Sequence, residues 1–562
     1  MNSLISKFDI YIDLLTKGKR SVPEGIKYVP RGGIVPKGSK KEGYGPRQGH
    51  WYEPGGKASI SEFEKILGSI LDGYPEVINA VKAIIEGGGN PYLVGGSVRD
   101  IFLGIRPKDF DIEVHGLTSD HLQEILGTLG AKKDQVGKKF AVFKIGNNLD
   151  ISLPRKETKT GVKHTDFEVE EVPDLSIEEA AKRRDFRMNS IMVSFKDRKI
   201  VDPFNGIQDI KNKLIRHIDD KTFIEDPLRV YRAAQFSARF GFEIDPDTIK
   251  LARTIDLSSL PPERVNEEFK KLFLKSERPS IGLDALDKMK VLDRYFPEIV
   301  ILKTTMQRPD YHAEGDTLTH TFMVIDQAAK VIKQIPDEDD KWIIMLSALA
   351  HDLGKPSTSQ IGPEGFPHQH GHEKAGIEIT KQFLNKLTND KDIVDNVLFL
   401  VEHHLKPPQY YRNKVSNKVF VKLINKYGLK KLELLSYLSE ADITGRFHKT
   451  KSGHIISPTG EPAQWFRSKL HEISEKHGVK EGKIQPLITG HDLLNIGYKE
   501  GPKLGQILRD VQLQQEDGKL ESKEGAIQYV KNKYQKSFII DGINTLSSFI
   551  NNYSNKNYLG VK

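Results

Sequence analysis

Cysteine is absent from all 562 residues. That excludes disulfides, thiolate metal sites and cysteine nucleophiles, so any bound metal must rest on His, Asp or Glu. Long apolar runs are missing too. No window approaches the roughly 18 consecutive apolar residues of a membrane-spanning helix, so no membrane partner is expected. The opening MNSLISKFDIYIDLL has neither the basic start nor the small-residue cleavage site of a secretory leader, and reads as a short amphipathic helix. Together these absences predict a cytoplasmic protein. What the chain has is charge: 85 Lys and Arg against 77 Asp and Glu, a net +8 that permits a polyanionic partner without demanding one. Its length exceeds one hydrophobic core, so roughly two to four domains are expected.

Residues 1–57 read as an N-terminal helix followed by a basic Gly/Pro-rich arm, with nine basic and two acidic residues between Lys17 and Arg47. The arm cannot bury enough apolar surface to pack alone. It is either a solvated spacer or a flexible contact for nucleic-acid phosphates. Over 58–215 helical periodicity gives way to short apolar strands (PYLVGG, FDIEVHG, FAVFKIGNNLDISLP). The pattern turns helical over 216–300, stays helical through the histidine-rich stretch 301–450, and continues so over 451–533. The polar, Asn-rich residues 534–562 form an extension without a readable motif. The fold class expected is α+β, a head with a mixed β-sheet followed by mainly helical domains.

The most informative stretch is YLVGGSVRDIFLGIRPKDFDIEV. Gly95 and Gly96 end an apolar strand and Ser97 can begin a helix, which would offer backbone N–H groups and a hydroxyl to a triphosphate. Arg99 can reach a phosphate or brace the loop. Asp109 and Asp111, two apart on a strand, would face the same side, where like charges need a cation. Mg²⁺ with retained waters and substrate phosphates suits them, and Asp150 can add a third carboxylate. Two such ions can activate a hydroxyl and neutralise a leaving pyrophosphate. Further on, Arg183, Arg184, Asp185 and Asn189 precede an apolar run. Asp226, Arg229 and Arg232, spaced by three, would share a helix face and could pair with a base edge or form an ion-pair stripe.

A second constellation lies in LTHTFMV, LAHDLGKP, HQHGHEKAG, VEHH and EADITGR. His320, His351, Asp352 and Asp442 can hold a divalent ion with open water positions for hydrolysis. His372, His403 and His404 can complete a second metal site or bind a phosphate.

These motifs, in this order, resemble the bacterial-type CCA-adding tRNA nucleotidyltransferases of the class II, poly(A) polymerase-like group, over roughly residues 75 to 533. The Gly-Gly-x-Val-Arg-Asp…Asp-x-Asp pattern falls on Gly95, Gly96, Val98, Arg99, Asp100, Asp109 and Asp111. The RRDF-x-x-N element is Arg183 to Phe186 with Asn189, and Glu-Asp-x-x-Arg-x-x-Arg is Glu225, Asp226, Arg229 and Arg232. The resemblance implies a nucleotidyltransferase head (58–215) and a helical neck (216–300) whose Asp226 and Arg229 select CTP and ATP. It implies template-free CCA addition to tRNA with release of pyrophosphate. The His…His-Asp…Asp set resembles the HD phosphohydrolase domain (301–450) of some such enzymes, implying 2′,3′-cyclic phosphodiesterase, 2′-nucleotidase and phosphatase activity with Mg²⁺, Mn²⁺, Ni²⁺ or Co²⁺. Residues 451–533 would be a helical tRNA-binding tail. CC-only addition, A-only addition and poly(A) synthesis share the same head and remain alternatives, as does a purely hydrolytic RNA-processing enzyme. Two departures from the pattern are Arg187, where a small hydroxyl residue is usual, and the basic preamble. Nothing in the sequence speaks to oligomeric state.

Overall fold

The computed structural model describes residues 67–135, 141–159, 167–450, 452–480 and 482–535. The expected N-terminal helix and basic arm (1–57), and the extension beyond residue 535, lie outside the described residues. The chain divides into two compact units, Met1–Pro297 and Glu298–Lys562. Among the described residues no helix is long and apolar enough to cross a membrane.

The first unit is built on a seven-stranded mixed sheet. Helix α1 (Pro75–Glu86) starts on a proline, whose missing N–H is no loss in a first turn, and buries Val77, Ala80 and Ile84 along one face. Strand β1 (Asn90–Val94) leads through Gly95 into helix α2 (Gly96–Phe102). Then come β2 (Phe110–His115), α3 (Ser119–Gly127), β3 (Lys132–Gln135), β4 (Ala141–Ile145) and β5 (Leu149–Ser152). The stretch FAVFKIGNNLDISLP is thus two strands, turned at Gly146. A separate hairpin follows, β6 (Arg155–Lys159) with β7 (Phe167–Glu171), then α4 (Ile177–Lys182), β8 (Met192–Ser194) and β9 (Lys199–Val201). The sheet order is β3-β4-β5-β2-β1-β8-β9. Only β2 and β5 run parallel, and that pairing aligns Asp111 with Asp150. Helices α5 (Gly206–Lys211), α6 (Asp220–Glu225), α7 (Leu228–Phe240), α8 (Pro262–Leu274) and α9 (Ser280–Lys288) complete the unit, α7 packing on α8 and α9.

The second unit is helical. Helix α10 (Thr317–Val331) packs on α11 (Glu338–Ala350), and α12 (His372–Leu384) on α13 (Lys391–His403). Helix α14 (Leu429–Thr444) packs on α10, and α15 (Glu461–His477) on α14. Acidic residues open α11, and the Asp337 side chain accepts the Asp340 N–H, a cap of about 1 kcal/mol. Past its capped start, the sequence WIIMLSALA is buried on every side, so α11 runs through the core and delivers His351 and Asp352 at its end. The tail helices α16 (Gly490–Asn495), α17 (Pro502–Glu516) and α18 (Lys523–Val530) share a small core of Ile488, Leu493, Ile507, Val511 and Val530.

Candidate functional site

In the first unit the polypeptide turns from β1 into α2 at Gly95, whose φ of +72° and ψ of −138° suit only glycine. A Cβ there would lie 3.4 Å from both Arg184 Nη1 and Asp111 Oδ2, so turn, guanidinium and carboxylate converge. Asp111 opposes Val94 on one side and Asp150 on the other. Asp109, Asp111 and Asp150 are all exposed. The Asp111 carboxyl is nonetheless raised above its ordinary range by partial desolvation, and by the charges of Asp150 and Asp109, against the opposing pull of Arg184. A divalent cation that keeps its waters would relieve that repulsion, which is the chemistry Mg²⁺ supplies beside exposed carboxylates. One expectation needs correction: Asp109 is not on the strand. Pairing begins at Phe110, whose N–H donates to Asn148 O at 2.8 Å, and Asp109 sits in the bend before it.

Behind this open face lies a buried polar brace. Arg99 donates to Asp100 through Nε (2.9 Å) and Nη2 (2.6 Å) and to Asn189 Oδ1 through Nη1 (2.7 Å), with the rings of Phe236 and Phe240 4.9 and 4.8 Å away. Asn189 donates to Asp185 Oδ1 at 2.8 Å, and Arg232 closes on Asp185 Oδ2 at 2.7 Å. Arg99, Asp185, Asn189 and Arg232 therefore hold one another. Of the two roles open to Arg99, the structure shows the brace. Ser97 is likewise corrected: its buried hydroxyl donates to Val94 O at 3.0 Å, so its proton is not available to a phosphate. Arg229 donates to the carbonyls of Thr222 (2.8 Å) and Arg183 (2.5 Å).

Asp226 is not on the helix with Arg229 and Arg232. It sits between α6 and α7 at φ −118°, ψ 93°, because Pro227 pushes the preceding residue out of the helical region. Its Oδ1 accepts the Leu228 N–H at 3.2 Å, and its charge still reaches Arg232. Arg187 lies toward Asp209, whose carboxyl is raised by burial against the opposing charges of Arg216 and Arg187.

Glu113 went unnoticed in the sequence. It is fully buried, accepts Arg183 Nη2 at 2.7 Å, and lies 3.6 Å from Arg184 Nη2 and 3.2 Å from His115 Nε2. Burial alone would raise its carboxyl. The bond from His115 and the charges of Arg184 and Arg183 instead hold it far below the usual range. The signal was present: Asp109, Asp111 and Glu113 continue a period of two.

In the second unit the ligand atoms face one another. His320, His351 and Asp352 bring their donors together, and Asp352, His372 and His404 form a second group, every residue buried. His320 Nε2 lies 3.3 Å from Asp442 Oδ1 and from His351 Nε2, and His351 Nε2 lies 3.1 Å from Asp352 Oδ2. His372 Nε2 lies 3.3 Å from Asp352 Oδ1 and from His404 Nε2. Asp352 thus turns one oxygen to each group, and its Oδ2 also lies 2.6 Å from the Lys355 ammonium. Nδ1 of His351, His372 and His404 lies 2.7 to 2.9 Å from the carbonyls of Ala348, Gln369 and Val401. A carbonyl only accepts, so these Nδ1 atoms carry the protons and Nε2 is left free to ligate. Burial, with His372 and His351 adjacent, pulls His404 down to about 3, keeping it a neutral ligand. A buried carboxylate set among imidazoles whose Nε2 atoms converge on it fits a divalent metal.

Two residues escaped the sequence reading here. Glu314 lies 3.0 Å from His320 Nδ1 and 2.8 Å from His312 Nδ1, orienting the ligand from behind. Gly354 lets the turn after Asp352 lie directly on α12: a Cβ would collide with the His372 carbonyl and come within 2.5 Å of Gly376 N. His403 is corrected, since it points away from the cluster. Its ring stacks on Phe399 and its Nε2 lies 3.3 Å from the Tyr427 hydroxyl.

Family models match three stretches: the poly A polymerase head domain over residues 91–216, the probable RNA and SrmB-binding site of polymerase A over 241–302, and the HD domain over 317–444. The CCA-adding enzyme of Bacillus stearothermophilus, solved in complex with CTP, shares the fold at TM-score 0.55 and 20% identity, over 83% of this chain and 98% of its own. The CCA-adding enzyme of Thermotoga maritima, complexed with tRNA, gives 0.53 and 18% over 82% and 97%. The multifunctional CCA protein of Actinobacillus pleuropneumoniae serotype 5b (strain L20) is 32% identical over 403 residues, 70% of this chain and 93% of that protein. With the fold, the head motifs and the histidine cluster in agreement, the chain belongs to the multifunctional CCA protein family of CCA-adding nucleotidyltransferases.

Proposed function

We propose that the first unit adds CCA to tRNA 3′ ends from CTP and ATP, releasing pyrophosphate, and that the second hydrolyses phosphate esters. The observation that carries the first reading is the meeting of Gly95, Asp111, Asp150 and Arg184 at one open face. Asp109, Asp111 and Asp150 would hold Mg²⁺, which activates the attacking hydroxyl and offsets charge on the pyrophosphate. Arg184, whose Nη1 lies beside Gly95 and Asp111, would meet a phosphate there, with the N–H groups at Gly95 and Gly96. Asp226 and Arg229 would read the base edge. The buried brace through Arg99, Asn189, Asp185 and Arg232 keeps α7 fixed against α2, so nucleotide choice and metal site stay in register. The likeness to CTP-, ATP- and tRNA-bound CCA-adding enzymes supports these substrates.

In the second unit His320, His351, Asp352 and Asp442 would hold one divalent ion (Mg²⁺, Mn²⁺, Ni²⁺ or Co²⁺), and His372 and His404, sharing Asp352, a second. Such an ion supplies a hydroxide near neutral pH. The further division into head, neck, HD and tail, and a cytoplasmic site of action, belong to the same proposal. Its test is a nucleotide-by-nucleotide readout on tRNA lacking CCA, with Mg²⁺, CTP and ATP. Three added nucleotides are expected; a stop after two, or a long A tract, would overturn it in favour of CC addition or poly(A) synthesis.

A further inference from the structure

The rim of the histidine cluster carries exposed rings that the metal chemistry does not use. Tyr311 is 55% and Phe366 39% exposed, and the Arg308 guanidinium lies 5.8 and 5.4 Å from their ring centroids. Arg308 is held by Asp310 (3.1 Å) and Glu364 (2.9 Å), which fixes its plane and leaves the patch without excess positive charge. A patch so balanced does not recruit a phosphate. It offers flat, polarisable faces to an uncharged ring.

Both segments that carry these rings are tied to the metal ligands. Gln307, next to Arg308, accepts Lys355 Nζ at 2.6 Å, and Lys355 lies 2.6 Å from Asp352. Gln369 donates to Met306 O at 2.9 Å, while its carbonyl accepts from His372 Nδ1 at 2.7 Å. The rings are therefore placed relative to the cluster by hydrogen bonds on either side.

We propose that Tyr311, Phe366 and Arg308 form a base-stacking platform that holds a nucleotide, or the terminal nucleotide of an RNA, while its phosphate ester sits at the metal cluster. This rests on the hydrolytic reading of the second unit, and it assigns the residues that would hold the base of its substrate. Aromatic stacking on a base is sequence-tolerant and commonly changes affinity by about 5- to 150-fold.

The experiment uses the full chain loaded with Mn²⁺ or Ni²⁺ and compares kcat/KM for 2′-AMP with that for glycerol 2-phosphate, a monoester without a base. The wild type should prefer 2′-AMP. In Tyr311→Ala/Phe366→Ala that preference should fall about tenfold or more, through KM, while Tyr311→Phe/Phe366→Tyr should keep it. A preference unchanged in the alanine variant, lost in both variants, or absent from the wild type overturns the platform. Wild-type failure to hydrolyse either ester overturns the hydrolytic reading, and the platform with it.

Discussion

The two candidate metal sites solve opposite problems. In the first unit Asp109, Asp111 and Asp150 stand exposed at the end of a sheet, and their order comes from buried neighbours behind them. In the second, His320, His351, Asp352, His404 and Asp442 are each 5% exposed or less, with the imidazole tautomers of His351 and His404 fixed by main-chain carbonyls. An open carboxylate set suits an ion that keeps waters and arrives with a bulky substrate. A closed imidazole set suits a resident ion and a small reactive group.

That contrast breaks most visibly if one site depends on the other. Asp111→Ala should reduce nucleotide addition by about 10³-fold or more and leave ester hydrolysis intact, as measured by gel extension and phosphate release. Asp352→Ala should do the reverse, and should also remove bound metal measured by elemental analysis, since both proposed ligand groups lose the carboxylate they share. Loss of both activities in either variant would show the sites are coupled.

Next in size is Glu113→Gln, which leaves Arg183 and Arg184 without their buried anion. A loss of about 3–5 kcal/mol in unfolding free energy is expected, seen as a lower denaturant midpoint. Because the folded Glu113 carboxyl lies below its ordinary 4.5, its contribution is complete above that value and is lost as pH falls toward the folded value. The variant should flatten that acid-side loss, and an unchanged pH profile would count against the anchor. Metal withdrawal should separate the units again. Removing an ion present at about a hundredfold over its Kd costs about 2.7 kcal/mol, and only the buried cluster should show it as a shift in thermal unfolding. The smallest effect expected is His403→Ala, within about threefold in hydrolysis, because its ring engages Phe399 and Tyr427 rather than the cluster.

Legibility in the sequence followed the same division. The residues of the closed site were legible because His and Asp recur together in LTHTFMV, LAHDLGKP and EADITGR, and the resemblance to the HD domain points to His320, His351, Asp352 and Asp442 as one set. His403 and His404 could not be told apart, since adjacent residues diverge by about 100° on a helix. In the open site a period of two drew attention to Asp109 and Asp111, although Asp109 lies in the bend before β2, whereas the brace left no pattern at all. Arg99 and Asn189 are ninety positions apart, and only the packed sheet shows that they meet. Spacing by three puts Asp226 on the face of Arg229 and Arg232 only if the helix reaches it, and Pro227 stops the helix short of that residue.

Gly354 carries no side chain and no charge, yet its close approach to the His372 backbone would set the stoichiometry of the buried site if two ions bind there. With no side chain between the turn after Asp352 and α12, His372 can share a carboxylate with His351. Gly354→Ala would wedge that helix outward while keeping every ligand in the chain. If the wild type binds two ions as proposed, this variant should bind one, and metal titration would show a binding number set by backbone clearance.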